Sequence, residues 1–289
     1  MPAPLDAQGD DPIDFTQPQR LRGAVGQHRG VLLIHGFTGS PYELHLLAQR
    51  VHAAGYHVSL PRLAGHHDRL AALAATRWPD WLASAESALQ ALHADIAAQS
   101  TQTPRIAVVG LSMGGLLTLD LARRYPGVDA ALARPGTVGP PQIVAISTLA
   151  TPLFLHRRSQ QAIRRLARLP GLRALSVPKL FGADVRERSR PRPPLKPLGM
   201  PIACLDSLLD LMAQVQAQLS SVRQPALLMH GLHDHTVPYA SLAALAQGLG
   251  CDAAQLRTVA LPRSYHLLPL DVEREIVFSE VLAHLSRYL

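Results

Sequence analysis

Lysine is nearly absent from this chain: of 28 basic residues, only Lys179 and Lys196 are lysine. Cysteine is equally scarce. Cys204 and Cys251 are the only two, and they form no Cys-x-x-Cys motif. That excludes a disulfide framework and makes a reducing cytoplasm the expected compartment. No apolar run reaches the ~18–20 residues that a membrane span needs. The opening residues, MPAPLDAQGDDPID, are acidic and proline-rich, without a basic stretch or an apolar run. No secretory signal is read there. What the chain does have is 289 residues, 47% of them hydrophobic and 17% charged. That supports a sizeable core, excludes wholesale disorder, and suits one large α/β domain or two small ones.

The net charge of +7 and pI of about 10.0 would alone suggest nucleic acid or an anionic membrane as partner. The distribution argues otherwise. Residues 156–197 carry twelve Lys/Arg against only Asp184 and Glu187, and the remainder has more acidic than basic residues. No nucleic-acid partner is expected. A weak contact between the basic segment and an anionic membrane surface is a separate expectation. It rests on Arg157, Arg158, Arg164 and Arg165 standing among apolar Leu153, Phe154, Leu155, Ile163, Leu166 and Leu169.

Aliphatic runs recur at Val31–Ile34, His57–Leu60, Ile106–Val109, Ile143–Ile146, Ala226–Met229 and Thr258–Leu261. They lack strict alternation, as strands buried on both faces should. Helical stretches separate them at Leu44–Ala53, Trp81–Ala98 and Leu116–Arg124. The alternation predicts a mostly parallel sheet with helices on both faces. The rhythm breaks between 152 and 202, where eight prolines fall. Short helices are expected at Ser159–Leu169 and near Leu172–Leu175, then a proline-rich loop, RSRPRPPLKPLGMP. A helix resumes at Leu205–Leu219. This excursion is too short for a robust core of its own. The expected division is therefore a core, 1–151 and 203–289, interrupted by an insertion, 152–202.

Gly110-Leu111-Ser112-Met113-Gly114 follows one predicted strand and precedes a helix, the setting of a G-x-S-x-G nucleophile elbow. A serine at the apex of so tight a turn needs glycines on either side, where a Cβ would clash. His35-Gly36-Phe37-Thr38-Gly39 follows the first strand. Its glycines let backbone N–H groups approach an oxyanion, with Phe37 and Met113 as the expected donors. Asp234 follows the fifth strand, where ligand-facing groups of open α/β sheets sit. Asp252 and Asp271 are weaker rivals because neither directly follows a strand, and Asp206 and Asp210 read as solvated helix positions. His266 follows the sixth strand and is the expected base. His45, His52, His93 and His284 fall in helical patterns, while His66 and His67 fall in a loop that could reach the pocket. His233 and His235 without further ligands do not make a metal site. Trp78 and Trp81 read as packing anchors.

The chain resembles the α/β-hydrolase superfamily, and within it the bacterial carboxylesterase and monoacylglycerol lipase group. The motifs HGFTGSP, AGYHVSLPRLAGH, WPDWLASAE, GLSMGG, DLMAQ, DHTVP and SYHLLPLD carry the likeness, which runs from about Val31 to the C-terminus. It departs at Gly65-His66-His67, where that group usually has Gly-His-Gly. The resemblance implies a Ser112–Asp234–His266 triad, Phe37 and Met113 as backbone oxyanion donors, and the excursion as a cap over an acyl pocket. The implied reaction is hydrolysis of a small-molecule ester with an aliphatic acyl chain, such as a monoacylglycerol, through an acyl-enzyme on Ser112. It requires no metal or organic cofactor. Two other readings use the same residues: a thioesterase or peptidase, and a basic-capped protein that binds an anionic surface without turnover.

Overall fold

The computed structural model describes residues 14–66, 69–127, 139–169, 171–178, 184–187 and 199–289. The acidic N-terminal stretch up to 13, His67 and most of the proline-rich stretch lie outside these residues. The strands are β1 (Gln19–Leu21), β2 (Arg29–Ile34), β3 (His57–Leu60), β4 (Arg105–Leu111), β5 (Ile143–Leu149), β6 (Ser176–Pro178), β7 (Gly199–Pro201), β8 (Ala226–Gly231) and β9 (Leu256–Leu261). The helices are α1 (His45–Ala53), α2 (Leu70–Ala74), α3 (Trp78–Ala97), α4 (Met113–Arg124), α5 (Arg157–Arg168), α6 (Ile202–Gln218), α7 (Ala240–Gly248) and α8 (Arg274–Tyr288). Among the described residues no helix is long and apolar enough to cross a membrane.

Seven strands form one sheet in the order β1-β3-β2-β4-β5-β8-β9, parallel except where β1 runs antiparallel to β3 at the edge. Alternate residues of each central strand enter opposite cores. Leu32 and Ile34 of β2, and Ile106 and Val108 of β4, join Trp81, Leu89 and Leu116 of α3 and α4. Val31, Leu33, Ala107 and Val109 join Leu47 of α1 and Val277 and Val281 of α8 on the other face. Both sets are withdrawn from water, which is why the strands read as unbroken aliphatic runs. Truncating one of these, as in Leu32→Ala, should cost about 2–5 kcal/mol.

Three features depart from the sequence reading. The edge strand β1 is too short to give a period. The strands β6 and β7 pair antiparallel, so Gly199–Pro201 is not loop as expected. Asp206 and Asp210 are not merely solvated: both carboxylates hold Arg164 Nη1, at 2.6 and 2.7 Å, and so tie α5 to α6.

Candidate active site

The strand β4 runs to Leu111 and α4 begins at Met113, which leaves Ser112 alone at the corner. Its φ is +54° and its ψ −120°, a conformation that costs a non-glycine residue of order 1–3 kcal/mol. The corner is held by Ser112 N–H donating to Leu149 O at 2.7 Å and Gly115 N–H donating to Ser112 O at 2.9 Å. The glycines have the steric role expected of them. A Cβ on Gly110 would collide with the carbonyl of Gly114, and one on Gly114 with the carbonyl of Ile34. The Met113 side chain is fully buried in the core.

The loop after β2 is built around two buried side chains. Leu63 N–H donates to His35 Nε2 at 3.1 Å, so the ring's proton is on Nδ1, which donates to Gly36 O at 2.9 Å. Glu43 is buried and its Oε2 accepts Gly36 N–H at 2.9 Å. Thr38 takes a φ of +59°. Phe37 packs against Trp81, with ring centroids 5.4 Å apart, and against His66 at 6.0 Å. His66 therefore lies behind the loop rather than at the pocket mouth; it is fully buried, and burial pushes its pKa down to about 4.

Asp234 and His266 meet as a buried pair. His266 Nδ1–H donates to Asp234 Oδ2 at 2.8 Å, and the Asp234 side chain has no solvent exposure. His230 Nε2 stands 3.1 Å from the same oxygen, while Oδ1 accepts the N–H groups of Thr236 and Val237, each at 2.8 Å. Burial by itself would raise the Asp234 pKa. The charge of His266 and the hydrogen bonds from His230, His266 and Val237 outweigh it and hold the carboxyl well below the usual range. Burial pulls His266 down. Asp234, by charge and hydrogen bond, and then the charges of Asp184 and Glu43, outweigh that and raise its proton affinity.

The rival carboxylates are engaged elsewhere. Asp252 caps Ala254 N–H at 2.9 Å. Asp271 is fully buried and accepts N–H groups of Arg186, Glu187, Val272 and Tyr265, so it shapes the loop that carries His266. Of the flanking histidines, His235 Nδ1 lies 2.9 Å from Asp184 Oδ1. His233 stands beside the Tyr265 ring. Cys204 is a buried thiol that donates to Leu73 O at 3.2 Å, and burial pushes its pKa up to about 11. That thiol is inert.

Ser112, His266 and Phe37 open on one cavity of about 520 Å³. Its walls are apolar: Leu155, Ile163 and Leu166 from the excursion face Leu205, Leu208 and Met212 of α6. Glu43 and Asp184 also line it, and neither stood out in the sequence. The only hint was a carboxylate inside an otherwise apolar stretch after the glycine loop.

The sequence profile of the family described as Hydrolase_4, serine aminopeptidase S33, matches residues 26–273. The thermostable monoacylglycerol lipase of Bacillus sp. (strain H-257) is 32% identical over 262 residues, 90% of this chain and 91% of that protein. A carboxylesterase of Bacillus subtilis (strain 168) is 24% identical, over 91% and 94% of the two chains. A solved structure from work on LipS and LipT, two metagenome-derived lipolytic enzymes, superposes with a TM-score of 0.79 at 27% identity, covering 96% of this chain and 99% of that one.

Proposed function

We infer what the site does from the premise that this chain belongs to the Hydrolase_4 (serine aminopeptidase, S33) family of α/β-hydrolases and is a serine hydrolase of carboxylic esters. In our reading Ser112, His266 and Asp234 are its triad, and residues 152–202 are a cap over the acyl pocket. One observation carries this reading: His266, held by the buried carboxylate of Asp234, lines the same apolar cavity as Ser112.

Asp234 holds the proton of His266 on Nδ1, which leaves Nε2 as the lone pair that removes the Ser112 proton. The serine oxygen attacks the ester carbonyl, and the N–H groups of Phe37 and Met113 receive the developing oxyanion. The imidazolium then protonates the leaving alcohol, and water repeats the sequence on the acyl-enzyme. Preset strain at Ser112 and Thr38 supports the assignment, because strain of this kind gathers at functional sites.

The substrate class is an uncharged ester with an aliphatic acyl chain, of the monoacylglycerol type. Each methylene buried along the cavity wall contributes about 0.8 kcal/mol. The two further carboxylates do not favour an aminopeptidase: Asp184 is taken up by His235 and Thr236, and Glu43 by Gly36. The outer face of α5, with Arg157, Arg158, Arg165 and Arg168 exposed and Leu169 nearby half-exposed, suits an anionic interface. Two free thiols agree with a cytoplasmic setting.

The test is a hydrolysis profile across p-nitrophenyl esters of rising chain length and across mono-, di- and triacylglycerols, with Ser112→Ala as control. Turnover that rises with acyl length and vanishes in Ser112→Ala is expected. Undiminished turnover in Ser112→Ala would remove the assignment.

A further inference from the structure

Four residues of the cap, Asp184–Glu187, are bonded into the loops that carry the acid and the base. The Asp184 carbonyl accepts two N–H groups of the base loop, those of His266 and Leu267, both at 3.1 Å. Its carboxylate turns to the acid loop instead. There Oδ2 accepts His235 N–H at 3.0 Å and the Thr236 hydroxyl at 2.9 Å, while Oδ1 meets His235 Nδ1 at 2.9 Å. The next side chain, Val185, is buried in the core beneath Leu267 and Leu268. Beyond it, Arg186 and Glu187 donate their N–H groups to Asp271 Oδ1 at 2.9 and 3.0 Å, and Asp271 Oδ2 receives Tyr265 N–H at 2.7 Å.

His266 is thus held at two points: its ring by Asp234 and its backbone by Asp184. The negative groups that face it come from three separate parts of the chain: Asp234 from the acid loop, Asp184 from the cap and Glu43 from the segment before α1. Among the described residues, His230 stands against Asp234 and His235 against Asp184 as positively chargeable neighbours.

We propose that Asp184 is a positioning residue for the base, locking the acid and base loops in register and adding a second negative charge facing His266, so that docking of this cap segment and completion of the triad are one event. The proposal rests on the reading of Ser112, His266 and Asp234 as the triad. Its physical basis is steep geometric dependence. A displacement of about 1 Å at a catalytic group can cost on the order of 100-fold in rate. The Asp184 side chain controls where its own carbonyl, and with it His266 N–H, comes to rest.

Two variants separate position from charge. In Asp184→Asn the amide oxygen can keep the Oδ2 bonds while the amide nitrogen donates to His235 Nδ1, so geometry survives and the charge is lost. In Asp184→Ala both are lost. For Asp184→Ala, kcat per fluorophosphonate-labelled site should fall about 10-fold or more on p-nitrophenyl butyrate, with KM within about two-fold. For Asp184→Asn, kcat should stay within about three-fold, and the acid limb of the kcat/KM profile should move to lower pH. The His266 imidazole should titrate at correspondingly lower pH by NMR. A merely structural residue would lower Tm and leave the pH limb, and kcat per labelled site, in place. An Asp184→Asn protein whose His266 titrates as in the parent, or an Asp184→Ala protein with parental kcat per site, would overturn the proposal. Should the parent turn over no ester, the functional reading falls, and the NMR titration still decides the role of Asp184. Should Asp184→Ala not fold, Asp184→Asn decides it.

Discussion

Replacing Asp234 with asparagine changes one atom and should nearly silence the enzyme. The structure dictates which way the new amide must point. Oδ1 accepts two backbone N–H groups, from Thr236 and Val237, and an amide nitrogen placed there would face two donors. The nitrogen must therefore take the place of Oδ2, opposite His266 Nδ1 and His230 Nε2. It can only donate. His266 must then carry its proton on Nε2, the wrong nitrogen to accept one from Ser112. In the serine-protease template the same change costs about 10⁴ in rate, equivalent to about 5.5 kcal/mol of barrier. The fold should survive, because both backbone bonds to residue 234 are kept. The assay is kcat/KM on p-nitrophenyl butyrate alongside a thermal melt. A loss below about 10-fold in a protein that melts cooperatively would refute the tautomer argument, and a crippling effect of Asp252→Asn would move the acid elsewhere.

Further outcomes follow from the same geometry. Ser112→Gly should be inactive yet more stable by about 1 kcal/mol, because glycine relieves the positive φ at a smaller entropic cost; denaturant melts showing destabilisation would contradict the strain. Activity requires neutral His266 and its pKa is raised, so kcat/KM should fall as pH drops through a midpoint above the ordinary histidine value of about 6.5; a midpoint below it would discount the facing carboxylates. For His66 the folded pKa is lowered to about 4, so the unfolded chain binds a proton that the folded one refuses between pH ~6.5 and 4. Stability should fall through that window by on the order of 3 kcal/mol, and His66→Phe should flatten that dependence in urea titrations across pH. Replacing Arg157, Arg158 and Arg165 with glutamine should weaken binding to anionic vesicles at low salt and spare hydrolysis of a soluble ester; Arg164 is left alone because it is paired with Asp206 and Asp210. Equal vesicle binding by variant and parent would reduce the basic face to a solubility feature.

The legible parts of this chain are those where the deciding interaction is local. Strands buried on both faces announce themselves as aliphatic runs, and the elbow announces itself because Gly110 and Gly114 answer to contacts within a few residues or with the adjacent strand. Asp234 and His266 could be chosen because each directly follows a strand. Asp184 could not be, since its partners lie in loops far downstream and its own surroundings read as a charged, proline-rich excursion. His66 misled for the opposite reason: a His-His pair in a loop reads as polar and open, but Phe37, Trp81 and His35 close around it. The pairing of β6 with β7 is carried by three residues on each side, too few to show a period through prolines.

The sheet order also sets the proposed catalytic groups on strands of unequal standing, one central and one at an edge. Ser112 lies at the end of β4, in the middle of the sheet, while His266, the proposed base, lies beyond β9, an outer edge. Without β9 in place, the elbow, the glycine loop and Asp234 have no strand beside them to carry His266. Pairing of β9 with β8 sets Leu256 beside Ala226 and Leu261 beside Gly231. That pairing anchors the loop in which His266 meets Asp234. On the proposed triad, ester cleavage therefore depends on an edge strand: a chain whose β9 has come away from β8 keeps the elbow and the glycine loop but loses the anchor of the proposed base.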